Sequence, residues 1–129
     1  MGKIIKNGVE YAGGSLDSYS LNETYTGSTW IDGKKIYKRT ISVGTIPNAG
    51  QTTFDISSWN IDIPIKLEGF CYAPSSKSMR PLPNIGANPV DSVRVDINNG
   101  NLLRVTTPSG ASGWNVYTYS YVTIYYTKN

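Results

Sequence analysis

Gly113-Trp114-Asn115-Val116-Tyr117-Thr118-Tyr119-Ser120-Tyr121-Val122-Thr123-Ile124-Tyr125-Tyr126-Thr127-Lys128 is the stretch on which the fold turns. Past its opening glycine, nearly every residue is aromatic, β-branched or a small hydroxyl, a composition that suits a long strand and argues against a helix. Successive residues of a strand point to opposite faces. The even positions therefore set Trp114, Val116, Thr118, Ser120, Val122, Ile124 and Tyr126 on one side, and the odd positions set Tyr117, Tyr119, Tyr121 and Tyr125 on the other. Both faces are rich in large side chains. A lone sheet buries one face, so the other requires a packed sheet, another subunit or a ligand.

The rest of the chain agrees with an all-β reading. At 129 residues it is one domain by size, long enough to bury roughly two thirds of its unfolded surface. No amphipathic helix is evident; Pro and Gly punctuate short alternating runs, with a helical turn expected only near residues 56–59. Candidate strands lie at residues 38–43, 52–56, 61–71 and 80–82, with loops at 73–78 and 83–89. About seven to nine short strands at regular spacing close most naturally as an antiparallel two-sheet β-sandwich, jelly-roll-like in outline.

Three hairpins are predicted. Asn7-Gly8 joins Ile4-Ile5-Lys6 to Val9-Glu10-Tyr11, because Asn-Gly accepts the positive φ of a tight turn. Gly13-Gly14-Ser15 follows as a hinge, so residues 1–15 read as an N-terminal hairpin arm and residues 16–129 as the sandwich domain. In the second hairpin, a type II′ turn centred on Gly33-Lys34 sets Ile31 opposite Ile36, Trp30 opposite Tyr37 and Asp32 opposite Lys35. In the third, Asn98-Asn99-Gly100 as a three-residue loop pairs Val95 with Leu103 and Val93 with Val105, at the cost of setting Arg94 opposite Arg104.

Charge and composition exclude several functions. The net charge is +3 and only 16% of residues are charged, against roughly 25% for an average domain. Lys34, Lys35, Lys38 and Arg39 form the one basic cluster, on a predicted hairpin, without the basic stripe that phosphate tracking needs, so nucleic acid is not an expected partner. No apolar run approaches the roughly 20 residues of a membrane span, and Met1-Gly2-Lys3-Ile4-Ile5 lacks the apolar core of a secretion signal. A protein of this kind found outside a cell would travel in an assembly or leave by lysis.

Catalytic chemistry is scarce. With no histidine in the chain, the usual base of a nucleophilic triad is missing. A single cysteine, Cys71, forms neither a disulfide nor a zinc cluster, and it reads as a small core residue. No Asp-rich calcium loop or phosphate-cradling Gly loop occurs. The one catalytic scheme the composition permits is a glycosidase-type carboxylate pair, drawn from acidic residues that include Asp55, Asp62, Glu68, Asp91 and Asp96, and solvated strand and turn charges explain these residues better. Asn22-Glu23-Thr24 matches a glycosylation acceptor and is read as coincidence without a secretion signal. The expectation is no enzyme, no cofactor and no metal.

Residues 19–40 carry a further signal. Tyr19-Ser20, Glu23 and Gly27, followed by Trp30-Ile31-Asp32-Gly33-Lys34, Ile36-Tyr37 and Thr40, resemble a recurrent segment of tail, baseplate and fibre-type proteins of tailed bacteriophages and prophages. Ile46-Pro47-Asn48-Ala49-Gly50, Ile56-Ser57-Ser58 with Ile61-Asp62, and Tyr121-Val122-Thr123-Ile124-Tyr125-Tyr126-Thr127-Lys128 follow in the same order. The resemblance covers residues 19–128. It implies a β-sandwich module of a virion appendage, commonly trimeric, often host-facing and assembled in the bacterial cytoplasm.

The aromatics are where function would lie. Trp30 and Tyr37 read as a structural pair and Trp59 as a core plug. Tyr117, Tyr119, Tyr121 and Tyr125 form the expected subunit interface of a homo-oligomer, since tyrosine buries a large body while its hydroxyl stays hydrogen-bonded. Trp114, beside the 108–113 loop, is the candidate glycan contact, with burial in the core as its plainer alternative. A structural and adhesive appendage module is the leading expectation, and a stand-alone carbohydrate-binding module the alternative.

Overall fold

The computed structural model of the protein describes residues 4–6, 9–11 and 18–129. The C-terminal stretch supplies the middle of the larger sheet: β10 (Tyr119–Lys128) lies between β4 (Lys35–Ser42) and β6 (Ile61–Ala73), antiparallel to both. β3 (Thr24–Thr29) and β7 (Ser78–Leu82) complete a five-stranded sheet of order β3-β4-β10-β6-β7. The second sheet is three-stranded, with order β5-β9-β8, from β5 (Gln51–Asp55), β8 (Arg94–Asn98) and β9 (Leu102–Thr106). The protein is all-β, an antiparallel two-sheet sandwich.

The two sheets share one core. Val122, Ile124 and Tyr126 of β10 and Cys71 and Ala73 of β6 meet Val95 of β8 and Leu103 and Val105 of β9. Ile46, Ile56 and Trp59, from the connections, close it. Burying each of the larger of these side chains contributes roughly 1.5–3 kcal/mol, so this layer supplies the stability that a disulfide-free chain needs. Cys71 is fully buried and free, as expected, and burial pushes its thiol above its ordinary value.

Outside the sandwich, β1 (Ile4–Lys6) and β2 (Val9–Tyr11) pair antiparallel in a two-stranded ladder, with Ile4 opposite Tyr11 and Lys6 opposite Val9. The Asn7-Gly8 turn and the hinge expected at residues 13–15 lie outside the described residues.

Both remaining hairpins form, each in a different register from the one expected. Trp30 carbonyl accepts from the Gly33 amide and Trp30 N–H donates to Lys34, so the loop is Ile31-Asp32-Gly33 and not Gly33-Lys34. Thr29 then faces Lys35, and Tyr25 faces Tyr37. The cause is local: the Asp32 carboxylate accepts the Lys34 amide, and Gly33 sits at φ +85° as the left-handed residue closing a three-residue loop. Trp30 therefore does not pair with Tyr37, and Ile31 stands 90% exposed at the tip.

In the third hairpin, Val95 faces Val105 and Ile97 faces Leu103, two steps from the expected pairs. Asn99 and Gly100 both take positive φ, and the Asn98 carbonyl accepts the Asn101 amide. The shift preserves the inward set and replaces the Arg94–Arg104 opposition with Asp96 opposite Arg104. That pair is bidentate, at 2.7 Å for both bonds, and it holds the Asp96 carboxyl below its usual range. An attractive cross-strand pair outweighs a repulsive one, and the register follows.

The long strand expected across residues 113–128 starts six residues late. Trp114–Val116 is a 3-10 turn, entered from Gly113 at φ +80°. Its backbone is held by a distant segment of the chain: Trp114 N–H donates to the Asn48 side chain at 2.8 Å, and just after the turn the Tyr117 carbonyl accepts the Ile46 N–H at 3.0 Å. The helical turn expected at residues 56–59 is present as a 3-10 turn at Ser57–Trp59.

Candidate functional site

The inner face of β10 is sealed, so the question is what lies on the outer one. Cross-strand register aligns the outward residues: Tyr119 opposite Tyr72, Tyr121 opposite Phe70, Thr123 opposite Glu68 and Tyr125 opposite Lys66. Thr40 of β4 flanks Thr123 from the other side. Rings therefore gather at one end of this face and polar groups at the other. Tyr119 and Tyr121 meet edge-on at 5.0 Å between centroids, Phe70 lies 6.0 Å from Tyr121, and Tyr72 packs edge-on against Tyr119 at 6.3 Å. Such tilted aromatic pairs stabilise one another by about 0.5–1.5 kcal/mol each beyond area burial.

The polar end is closely satisfied. Thr40 and Thr123 hydroxyls share a hydrogen bond of 2.8 Å. Tyr125 hydroxyl donates to the Glu68 carboxylate at 2.9 Å, and Lys66 ammonium stands 3.5 Å from its other oxygen. Burial, with that bond to Glu68, raises the Tyr125 phenol well above its ordinary value.

A strap of chain walls the face. Ser20 carbonyl accepts the Thr40 amide and Leu21 carbonyl accepts Arg39 Nε, which seats residues 19–21 along β4. Glu23 locks the strap to β10: one carboxylate oxygen accepts the Tyr126 hydroxyl at 2.6 Å, the other the Lys128 ammonium at 3.0 Å. Burial alone would push the Glu23 carboxyl up. The bonds from Tyr126 and Lys128 and the charges of Lys128 and Arg39 outweigh it and hold it below its ordinary value.

Strap and sheet together enclose a groove of about 690 Å³. Phe70, Tyr119 and Tyr121 form its aromatic floor, Tyr19, Leu21 and Met79 its walls, and Thr40, Thr123 and Glu68 its polar end. Its volume falls in the range of small-ligand pockets. Tyr119 is 53% exposed and Met79 61%, so this is open apolar surface rather than core.

The expected site residues divide. Tyr119 and Tyr121 lie in the groove; Tyr125 is on the same face but engaged with Glu68. Tyr117 is not with them. Following Trp114 by three residues on the 3-10 turn, it points inward beside that ring, 5.5 Å away, and its hydroxyl accepts Arg80 Nε at 2.8 Å. Trp114 itself is 5% exposed, its indole N–H donating to the Val90 carbonyl and Arg80 lying over its ring. It is a core residue with no open face for a sugar to stack on. Phe70, Met79, Tyr19 and Leu21 were not anticipated. The alternation Glu68, Phe70, Tyr72 was the available signal, since it sets one carboxylate and two rings on one side of a strand.

Of the five candidate carboxylates, four are engaged with neighbouring groups, Glu68 as described above. Asp62 pairs with Lys34, Asp96 with Arg104, and Asp55 accepts the Ser57 amide. Among the described residues, no group of three or more Cys, Asp or Glu side chains is placed to hold a metal ion, and no helix is long and apolar enough to cross a membrane.

In comparisons with protein-family models, curated proteins and solved structures, nothing matches this chain. The functional reading rests on the groove and on the sequence segments quoted above.

Proposed function

We propose that the protein is a non-enzymatic structural and adhesive module of a bacteriophage-type virion appendage, a tail, baseplate or fibre component, and that the outer groove of its five-stranded sheet is the contact surface. One observation carries the reading: Tyr119 stands open to solvent beside the half-buried rings of Tyr121 and Phe70, so a concave site presents aromatic surface that no described part of the chain covers. Exposed apolar surface rimmed by polar groups marks binding sites on soluble domains. The engagement of Asp55, Asp62, Glu68 and Asp96 with neighbouring groups supports a binding role over a hydrolytic one. Homotrimeric assembly, location in the virion and contact with host-surface glycan come from the resemblance of residues 19–128 and belong to the same proposal.

A second reading, a stand-alone carbohydrate-binding module, is favoured by the pairing of an aromatic floor with hydroxyls and a carboxylate. Trp114 plays no part in it. Sedimentation velocity at micromolar concentration, with and without host-wall polysaccharide, separates the two. Appendage assembly gives a defined oligomer without ligand, and a stand-alone module gives a monomer that binds the polysaccharide. A monomer indifferent to the polysaccharide overturns both.

A further inference from the structure

Taking the groove as the protein's contact surface, we propose that its occupant is a neutral or amine-bearing saccharide chain, and that acidic polysaccharides are rejected. The net charge of +3 points the other way, toward anionic polymers. That attraction acts over distance and is screened beyond about 8 Å at physiological salt. What a bound sugar meets is the lining, and among the described residues that line the groove Glu68 is the charged one. The nearby cations are already committed: Lys66 faces Glu68 and lies over the Tyr125 ring at 4.8 Å, and Lys38 is buried with its ammonium over the Tyr19 ring at 4.7 Å.

The lining suits a sugar ring in each of its parts. The C–H face of a pyranose is apolar and packs on rings such as Tyr119, Tyr121 and Phe70, as other apolar bodies do. Its hydroxyls are donors, and a carboxylate is the strongest acceptor for them. Each oxygen of Glu68 takes one contact from Tyr125 or Lys66, and a carboxylate has about four acceptor positions. Capacity remains for a hydroxyl or an ammonium group. A uronate or phosphate would bring its charge against that same carboxylate. The volume of about 690 Å³ accommodates a short oligosaccharide rather than one ring.

Calorimetric titration with four probes tests this: maltotriose, tri-N-acetylglucosamine, triglucosamine and trigalacturonate. At least one of the first three is expected to bind, with affinity lowered tenfold or more by Tyr119→Ala, while trigalacturonate binds at least tenfold more weakly. Glu68→Gln is expected to narrow that gap by raising the affinity for trigalacturonate. Trigalacturonate binding as tightly as the others, or a gap unmoved by Glu68→Gln, overturns the charge selection while leaving the groove as contact surface. Binding of none of the four, with Tyr119→Ala altering the sedimentation coefficient, overturns the saccharide and makes the groove a protein interface. Binding of none, with sedimentation unchanged, overturns the reading of the groove as well.

Discussion

The two faces of β10 are built from one alternating run of residues and end in opposite conditions. Inward, Ser120, Val122, Ile124 and Tyr126 are sealed between the sheets. Outward, Thr123 is buried, Tyr121 and Tyr125 half-buried, and Tyr119 open. The difference lies in what covers them. A complete second sheet lies over one face, and a single strap of chain lies over part of the other. Stability is therefore expected from the inner face and recognition from the outer one.

Substitutions sharpen or break that contrast. Ile124→Ala empties a fully buried site and should cost about 3–4 kcal/mol in chemical denaturation. Tyr119→Ala, one face away, gives up only the contacts of a half-exposed ring with Tyr121 and Tyr72 and should cost about 1 kcal/mol; equal losses would break the comparison. Gly69→Ala follows in size. A Cβ there would sit 2.3 Å from the Tyr121 carbonyl oxygen, so β6 and β10 would have to part. About 2–3 kcal/mol is expected, together with a loss of groove binding, since the same movement displaces Tyr121.

Glu23→Gln tests the strap. Its carboxylate accepts from the buried Tyr126 hydroxyl and from Lys128, and its partial exposure limits the expected loss to about 1 kcal/mol. The sign with pH is set by a carboxyl whose folded value is depressed. Its contribution is complete above the ordinary carboxylate value and disappears as the pH falls through the folded one. Thermal melts from neutral to acidic pH should therefore show a smaller drop in Tm for Glu23→Gln than for the parent chain. Ser120→Ala is the smallest change and the one with a gain. Among the described residues the buried Ser120 hydroxyl has no hydrogen-bond partner, and its removal should stabilise by about 0.5–1 kcal/mol.

The class of fold was legible because alternation in β10 and Asn/Gly placement depend on neighbouring residues alone. Registers were less so. The β3–β4 loop is chosen by the Asp32 side chain capturing the Lys34 amide, and the β8–β9 pairing by the Asp96–Arg104 ion pair. Both are contacts that compete with the hydrophobic match between the strands. The turn at Trp114–Val116 was hidden by its strand-like composition, since its cause, the Asn48 side chain, is 66 residues away. The groove was legible only in its β10 half. Phe70, Met79 and Leu21 reach it through sheet order and through a strap whose path depends on Glu23 finding Tyr126.

Cys71 is the chain's one thiol and lies fully enclosed on β6, across from Ser120 of the central strand. It thus serves as a built-in clock for opening of the fold. A thiol-reactive dye can modify it only while β6 and the layer above it are separated, so the labelling rate counts those excursions directly. Filling the groove with a ligand should slow that clock without touching the sulfur.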